Sequence, residues 1–148
     1  MPDISFSTDI IAGFPGETEE EFQESLSMLE EVRFNNIFSF RYSPRPFTIA
    51  CQEKDTVFFE EKRRRLIEIQ DLQKKIQLEL NESFIGRVLK VLCSGKSKKA
   101  PHLFSGRNEG HQVVNFKSKN DVTGCFVDVR ITSYGPYSLH GEAIKQLN

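Results

Sequence analysis

The chain has 148 residues and a mass of 17.0 kDa, with 38% apolar and 28% charged residues. That balance, with 13 Phe, fits one folded domain or two small ones and excludes a disordered chain. No apolar run approaches the roughly 20 residues of a membrane span, and Met1–Ser5 lacks the basic and apolar parts of a secretory signal. Cys51, Cys93 and Cys125 are odd in number and widely spaced, so they offer neither a disulfide framework nor a CxxC pair, and a reducing cytoplasm is the expected location. The net charge of -1 conceals an asymmetry: residues 1–83 sum to -7 and residues 84–148 to +6. A basic segment behind an acidic one predicts two units with different partners, the basic one meeting nucleic acid.

Residues 4–12 begin with apolar/polar alternation and end apolar, which predicts a strand buried on two sides. Gly13-Phe14-Pro15-Gly16 breaks it. Thr18 and Glu21 then form a capping-box pattern, and Phe22, Leu26 and Leu29 follow at helical spacing, predicting a helix over 18–33. Residues 37–42 read as an aromatic strand ended by Ser43-Pro44-Arg45-Pro46. Strand, helix, strand with short connections implies a βαβ unit with parallel strands, part of an α/β sheet. A long helix is expected over about 56–81, with Leu66, Ile69, Leu72, Ile76 and Leu80 on one stripe. Lys62, Arg63, Arg64, Arg65, Lys74 and Lys75 fall mostly off that stripe and read as a solvated face rather than an RNA-contacting ridge. From Phe84 the texture changes to short β-rich runs at 87–93, 103–105, 112–116, 123–132 and 138–143. Five such strands predict a small antiparallel OB-like β-barrel. The expected domains are 1–83 and 84–148.

Two places can carry chemistry. Residues 9–18 describe a buried strand opening through glycines into a capped helix, where backbone N–H groups suit an anion; the alternative is a tight turn without ligand. In the basic tail, Lys96, Lys98 and Lys99 share one loop, Arg107 and Asn108 another, and Arg130 adds to the field. These are RNA-binding candidates, against the alternative that they serve solubility. Phe104, Phe116 and Tyr134 are available to stack bases, although strand alternation turns Phe104 and Phe116 into the barrel. Cys93 and Cys125 fall on expected strands and read as core. His102, His111 and His140 lack metal-ligand spacing.

TDIIAGFPGETEEEF at 8–22 and FSFRYSPRP at 38–46 resemble the late part of the radical S-adenosylmethionine domain of tRNA methylthiotransferases, MiaB type. IGRVLKVLCSGKSKK at 85–99, SGRNEGHQVVNF at 105–116 and VRITSYGPYSLHGE at 129–142 resemble the TRAM domain that closes those enzymes. The resemblance implies that residues 1–83 are part of a radical-SAM TIM-like barrel and residues 84–148 a TRAM barrel that binds tRNA. It implies S-adenosylmethionine and two [4Fe-4S] clusters in the intact enzymes. Their CxxxCxxC motif cannot be placed here, so the chain is expected to be a C-terminal fragment, inactive alone. Carried over by position, Gly13, Phe14, Pro15, Gly16, Glu17, Tyr42, Ser43 and Arg45 would wall the S-adenosylmethionine pocket. Phe47 stands where the family usually has Gly, which argues against a positive φ there.

The function implied is methylthiolation at carbon 2 of a modified adenosine beside the tRNA anticodon. Alternatives are a stand-alone RNA-binding module without catalysis, and a methylthiotransferase acting on a ribosomal protein. A cytoplasmic monomer that meets no membrane is expected.

Overall fold

The structure, a computed structural model, describes residues 4–144. It divides into two compact units, one up to Ile76 and one from Gln77.

In the first unit β1 (Ser7–Ala12) and β2 (Asn36–Arg41) are parallel neighbours, in register from Ser7 opposite Asn36 to Ala12 opposite Arg41. Helix α1 (Glu19–Val32) makes the crossover. It starts where the sequence says it must. The Thr18 hydroxyl accepts from the Glu21 N–H at 3.2 Å, and the Glu21 carboxylate accepts from the Thr18 N–H at 2.8 Å. Glu19, Glu20 and Glu21 lie at the positive end of the helix dipole. Its C-terminus is closed by Arg33 in a left-handed conformation, φ 54°, whose N–H reaches the Leu29 carbonyl. Phe22 and Leu29 from α1 are fully buried with Ala12 of β1 and Ile69 of the long helix α2 (Phe59–Glu82). Ile10, Leu26, Phe34, Ile37, Leu66 and Leu72 complete this core.

Only one face of the two strands is covered. The expectation of burial on both sides is therefore corrected: Ile11, Phe38 and Phe40 are at least half exposed. They alternate with the core-facing residues, and among the described residues the helices pack only on the opposite face. Residues 4–6 lie outside β1, which begins at Ser7. A second correction concerns α2. Lys62 and Arg65, expected on a solvated face, are 6% and 4% exposed, because carboxylates from other elements meet them there, as described below. A third concerns Phe47, whose φ of 69° is left-handed despite its side chain. The ring projects into solvent, and the 3-10 turn Ile49–Cys51 that follows fixes the chain direction at that point.

The second unit is a closed barrel in the order β3-β4-β5-β7-β6, formed by β3 (Val88–Lys96), β4 (Phe104–Asn108), β5 (Val113–Lys117), β6 (Phe126–Tyr134) and β7 (Leu139–Ala143). Four neighbouring pairs are antiparallel, but β5 and β7 are parallel. An entirely antiparallel barrel is thus corrected for a topological reason: directions cannot alternate without a break around a ring of five. Val91, Cys93, Phe104, Val114, Phe116, Val127, Val129, Ile131 and Leu139 fill the interior. The Phe104 and Phe116 rings stack there at 6.0 Å, so they are core and not base platforms. Inward-facing Gly106 lets two strands close tightly, since a Cβ there would lie 2.3 Å from the Leu92 carbonyl oxygen. Bulges between Cys93 and Gly95 and between Ile131 and Ser133 bend β3 and β6 into the closed surface. Cys125, read as core, is exposed because β6 begins one residue later, after the Val122–Cys125 turn. The last turn of α2 is tied to this unit by Asn81, 2% exposed, which donates to the Gly135 carbonyl at 2.7 Å.

Candidate functional site

The turn after β1 is held by contacts within the first unit. The Gly13 N–H donates to the Glu17 carboxylate at 2.8 Å, and the Glu17 N–H closes a turn on the Phe14 carbonyl at 2.9 Å. Gly13 is required sterically as well as conformationally. Its φ is 71°, and an added Cβ would lie 2.3 Å from Cγ of Lys62. The Lys62 stem therefore occupies the space that a glycine would open to a ligand. Its ammonium pairs with Asp55 at 2.5 Å and lies 4.9 Å from the centre of the Tyr42 ring. Tyr42 meets Phe14 edge-on at 5.3 Å and donates its hydroxyl proton to the Ala50 carbonyl at 2.9 Å. Burial, then the nearby Cys51 and Asp55, push the Tyr42 phenol above its ordinary pKa.

Glu17 also accepts from Arg65 at 2.6 Å, and Arg65 donates again to the Glu17 carbonyl at 3.0 Å. These side chains are 13% and 5% exposed. Burial pulls the Arg65 guanidinium down, but hydrogen bonds to Glu17 and Glu61 outweigh it and raise its pKa. Arg64 pairs with Glu19 and Glu68 at 2.5 Å each and with Glu61. Hydrogen bonds from Arg64, followed by those from Arg65, hold the Glu61 carboxyl at about 2.

The candidate wall residues thus fall into two groups. Gly13 and Glu17 have their polar groups taken by the fold. Phe14, Gly16, Ser43 and Arg45 are exposed, while Pro15 and Tyr42 are half-buried. The residues present do not fit an iron–sulfur cluster. Cys51 lies in a 3-10 turn of the first unit, Cys93 inside the barrel and Cys125 on the barrel surface. Among the described residues no group of three or more His, Cys, Asp or Glu is placed to hold a metal.

The barrel divides the predicted RNA contacts. Lys96 ends β3, and Lys98 and Lys99 follow in the connection to β4. That connection is braced by the Ser97 N–H on the Leu103 carbonyl at 2.9 Å. Lys96 is anchored, its ammonium 3.6 Å from the centre of the Phe104 ring. Asp121 partly offsets it. The Asp121 carboxyl is held low first by the N–H and hydroxyl of Thr123, and also by Lys96. Lys98 and Lys99 are exposed and make no ion pair among the described residues. Arg107 and Asn108 lie at the opposite end of β4, since Phe104 pairs with Lys96 and Asn108 with Val91. Both serve the turn there. Arg107 donates to the His111 carbonyl at 2.7 Å, and Asn108 exchanges hydrogen bonds with Gln112 at 2.6 and 2.9 Å. Arg130 is exposed on β6, beside Val88 and Glu142 in register. Tyr134, whose pKa is raised first by its hydrogen bond with Glu82, is engaged by the end of α2.

Beside the lysine connection lies a groove of about 440 Å³, lined by Lys98, Lys99, Ser105, Asn115 and Tyr137 among others. Tyr137 lies in the Gly135-Pro136-Tyr137-Ser138 turn, where no inward strand position accounts for an aromatic side chain. Among the described residues no helix is long and apolar enough to cross a membrane.

Comparison with known proteins places these two units in context. Residues 82–144 match the TRAM domain. The chain is 43% identical over 145 residues to the tRNA-2-methylthio-N(6)-dimethylallyladenosine synthase of Acetivibrio thermocellus, covering 98% of this chain and 30% of the relative. It is 48% identical over 141 residues to the enzyme of that name in Geotalea uraniireducens, covering 95% and 32%. For that of Geobacter sulfurreducens the values are 46% over 143 residues, 97% and 32%. The chain spans about a third of the length of these curated relatives.

Proposed function

This chain carries a TRAM domain and is related along nearly its whole length to tRNA-2-methylthio-N(6)-dimethylallyladenosine synthases, and from that premise we propose that it serves tRNA methylthiolation as the tRNA-holding part of such an enzyme. In this reading residues 1–83 supply the last part of a radical-SAM α/β barrel and residues 84–148 the RNA-binding barrel. The observation that carries it is the lysine connection on a TRAM barrel, in a segment whose charges sum to +6. Such unpaired cations neutralise RNA phosphates and release the counterions condensed on them, so binding is fast, strong at low salt and independent of sequence. The parallel strands of the first unit fit the same reading, because ligands of α/β sheets bind at strand carboxyl ends. Phe14, Pro15, Gly16, Tyr42, Ser43 and Arg45 are then the groups left to face S-adenosylmethionine. Gly13 and Glu17 set the course of that wall from behind. S-adenosylmethionine and [4Fe-4S] clusters supply the radical chemistry in this family reading. The cysteines of this chain do not fit a cluster, so no chemical step is assigned to it. Its place is the cytoplasm, where tRNA is modified.

Fluorescence anisotropy with unfractionated tRNA and the full chain tests this. Affinity is expected to fall linearly on a log–log plot as salt rises. Absence of binding at low salt would overturn the reading. Anaerobic reconstitution with iron and sulfide is expected to give no four-iron absorbance from this chain, and a stable cluster that cleaves S-adenosylmethionine would overturn that part.

A further inference from the structure

We propose that the groove beside the lysine connection holds one unpaired nucleotide of the RNA, its base stacked on Tyr137 and its flanking phosphates on Lys98 and Lys99. The inference rests on the tRNA-binding reading and deepens it to a specific site.

The concavity follows from strand register. Gly95, Ser105 and Asn115 face each other in one row across β3, β4 and β5. Alternation turns them outward, since Phe104, Gly106, Val114 and Phe116 on either side are buried. Three short side chains in a row leave a depression between longer neighbours. The bulge before Gly95 lifts the chain into the lysine connection as one wall, and the turn carrying Tyr137 forms the other. The volume of about 440 Å³ lies in the range of small-ligand sites, enough for one nucleotide.

The chemistry of the lining matches each part of a nucleotide. Tyr137 is 80% exposed, and its ring meets no other aromatic ring among the described residues. An aromatic face held in water is favourable only when something flat covers it, and every base has such a face. The Ser105 hydroxyl and Asn115 amide have no side-chain hydrogen bond among the described residues, so both are open to a base edge or a 2′-hydroxyl. Lys98 and Lys99 supply unpaired cations at the rim, where a phosphate flanking the stacked base would lie. Lys96 is committed to Phe104 and Asp121 and contributes field rather than a mobile contact.

The chain has no Trp and three Tyr, so its own emission reports on the site. The full chain is titrated with a fluorescein-labelled RNA stem-loop and with a blunt RNA duplex of equal length, while unlabelled stem-loop is followed by tyrosine emission. The stem-loop is expected to bind more tightly and to quench tyrosine emission. Tyr137→Ala should weaken the stem-loop by about five- to a hundredfold and leave the duplex nearly unchanged. Tyr137→Phe, which keeps the stacking face, should bind like the parent. Tyr137 is exposed, so matching thermal unfolding of the variants is expected. If the parent binds RNA and Tyr137→Ala binds the stem-loop equally well, the groove assignment is wrong while the tRNA reading stands. Equal weakening of stem-loop and duplex also overturns it. If the parent binds neither RNA, both readings fall.

Discussion

In the first unit Arg64 is shared by Glu19, Glu61 and Glu68, and Arg65 by Glu17, Glu19 and Glu61. In the barrel Lys98 and Lys99 make no ion pair among the described residues, Arg130 lies opposite Glu142 without an ion pair, and the pair formed there, Lys117 with Glu142, is stretched to 3.9 Å. Both units contain clustered cations, but they are used differently. A guanidinium ringed by carboxylates, buried like Arg65 or partly exposed like Arg64, has its donors taken and its field offset, and holds elements together. An exposed, unpaired ammonium contributes almost nothing to the fold and remains available to a polyanion. Accessible charge, not counted charge, is therefore the ground on which RNA is proposed for the barrel.

The sharpest way to break this contrast is Arg65→Ala. It removes a buried cation and leaves Glu17 desolvated without its partner, which should destabilise the first unit by about 3–5 kcal/mol in denaturant unfolding. RNA affinity at a temperature where the chain remains folded should change less than twofold. A loss of affinity without loss of stability would erase the distinction between the two cation sets. A smaller effect is expected at Phe47, whose left-handed backbone strains a β-carbon. Phe47→Gly should raise stability by about 1 kcal/mol, with RNA binding untouched. A destabilised variant would show that the exposed ring is held by something other than that turn.

The pH dependence sharpens the comparison with the least perturbation. The folded pKa of Glu61, about 2, lies below its ordinary 4.5. A depressed carboxylate stabilises the fold fully above the unfolded value and loses that contribution as pH falls through the folded one. Thermal stability of the first unit should therefore decline between about pH 4.5 and 2. Glu61→Gln should flatten that decline, seen by circular dichroism melts across the range. The same slope in parent and variant would remove Glu61 from the ion network.

Much of this was legible in the chain. Thr18 and Glu21 announced α1 because a capping box is local, and the β-rich runs after Phe84 announced the barrel because strand signals are local too. The proposed RNA contacts Lys96, Lys98 and Lys99 stand in one short run of the sequence. What escaped depends on distant partners. Arg65 is buried because Glu17 lies 48 positions earlier, and nothing in helical spacing carries that information. The parallel β5–β7 pair follows from ring closure, not from either strand. That Tyr137 lines a groove beside Gly95, Ser105 and Asn115 depends on the register of β3, β4 and β5. That Asn108 also braces the turn through Gln112 was not legible, because turn residues and ligand residues share a composition.

The central claim, that the lysines of the β3–β4 connection carry RNA binding, is tested most directly by the salt dependence of tRNA affinity in Lys96→Ala/Lys98→Ala/Lys99→Ala. The matched control replaces Lys54, Lys74 and Lys75, all exposed in the first unit. Each phosphate contact contributes roughly 0.7 to 0.9 to the slope of log K against log salt. The barrel variant should therefore flatten the slope by about two units and weaken all tRNAs alike, while the control keeps the parental slope. A barrel variant with the parental slope and affinity, or a control that loses as much, would contradict the account.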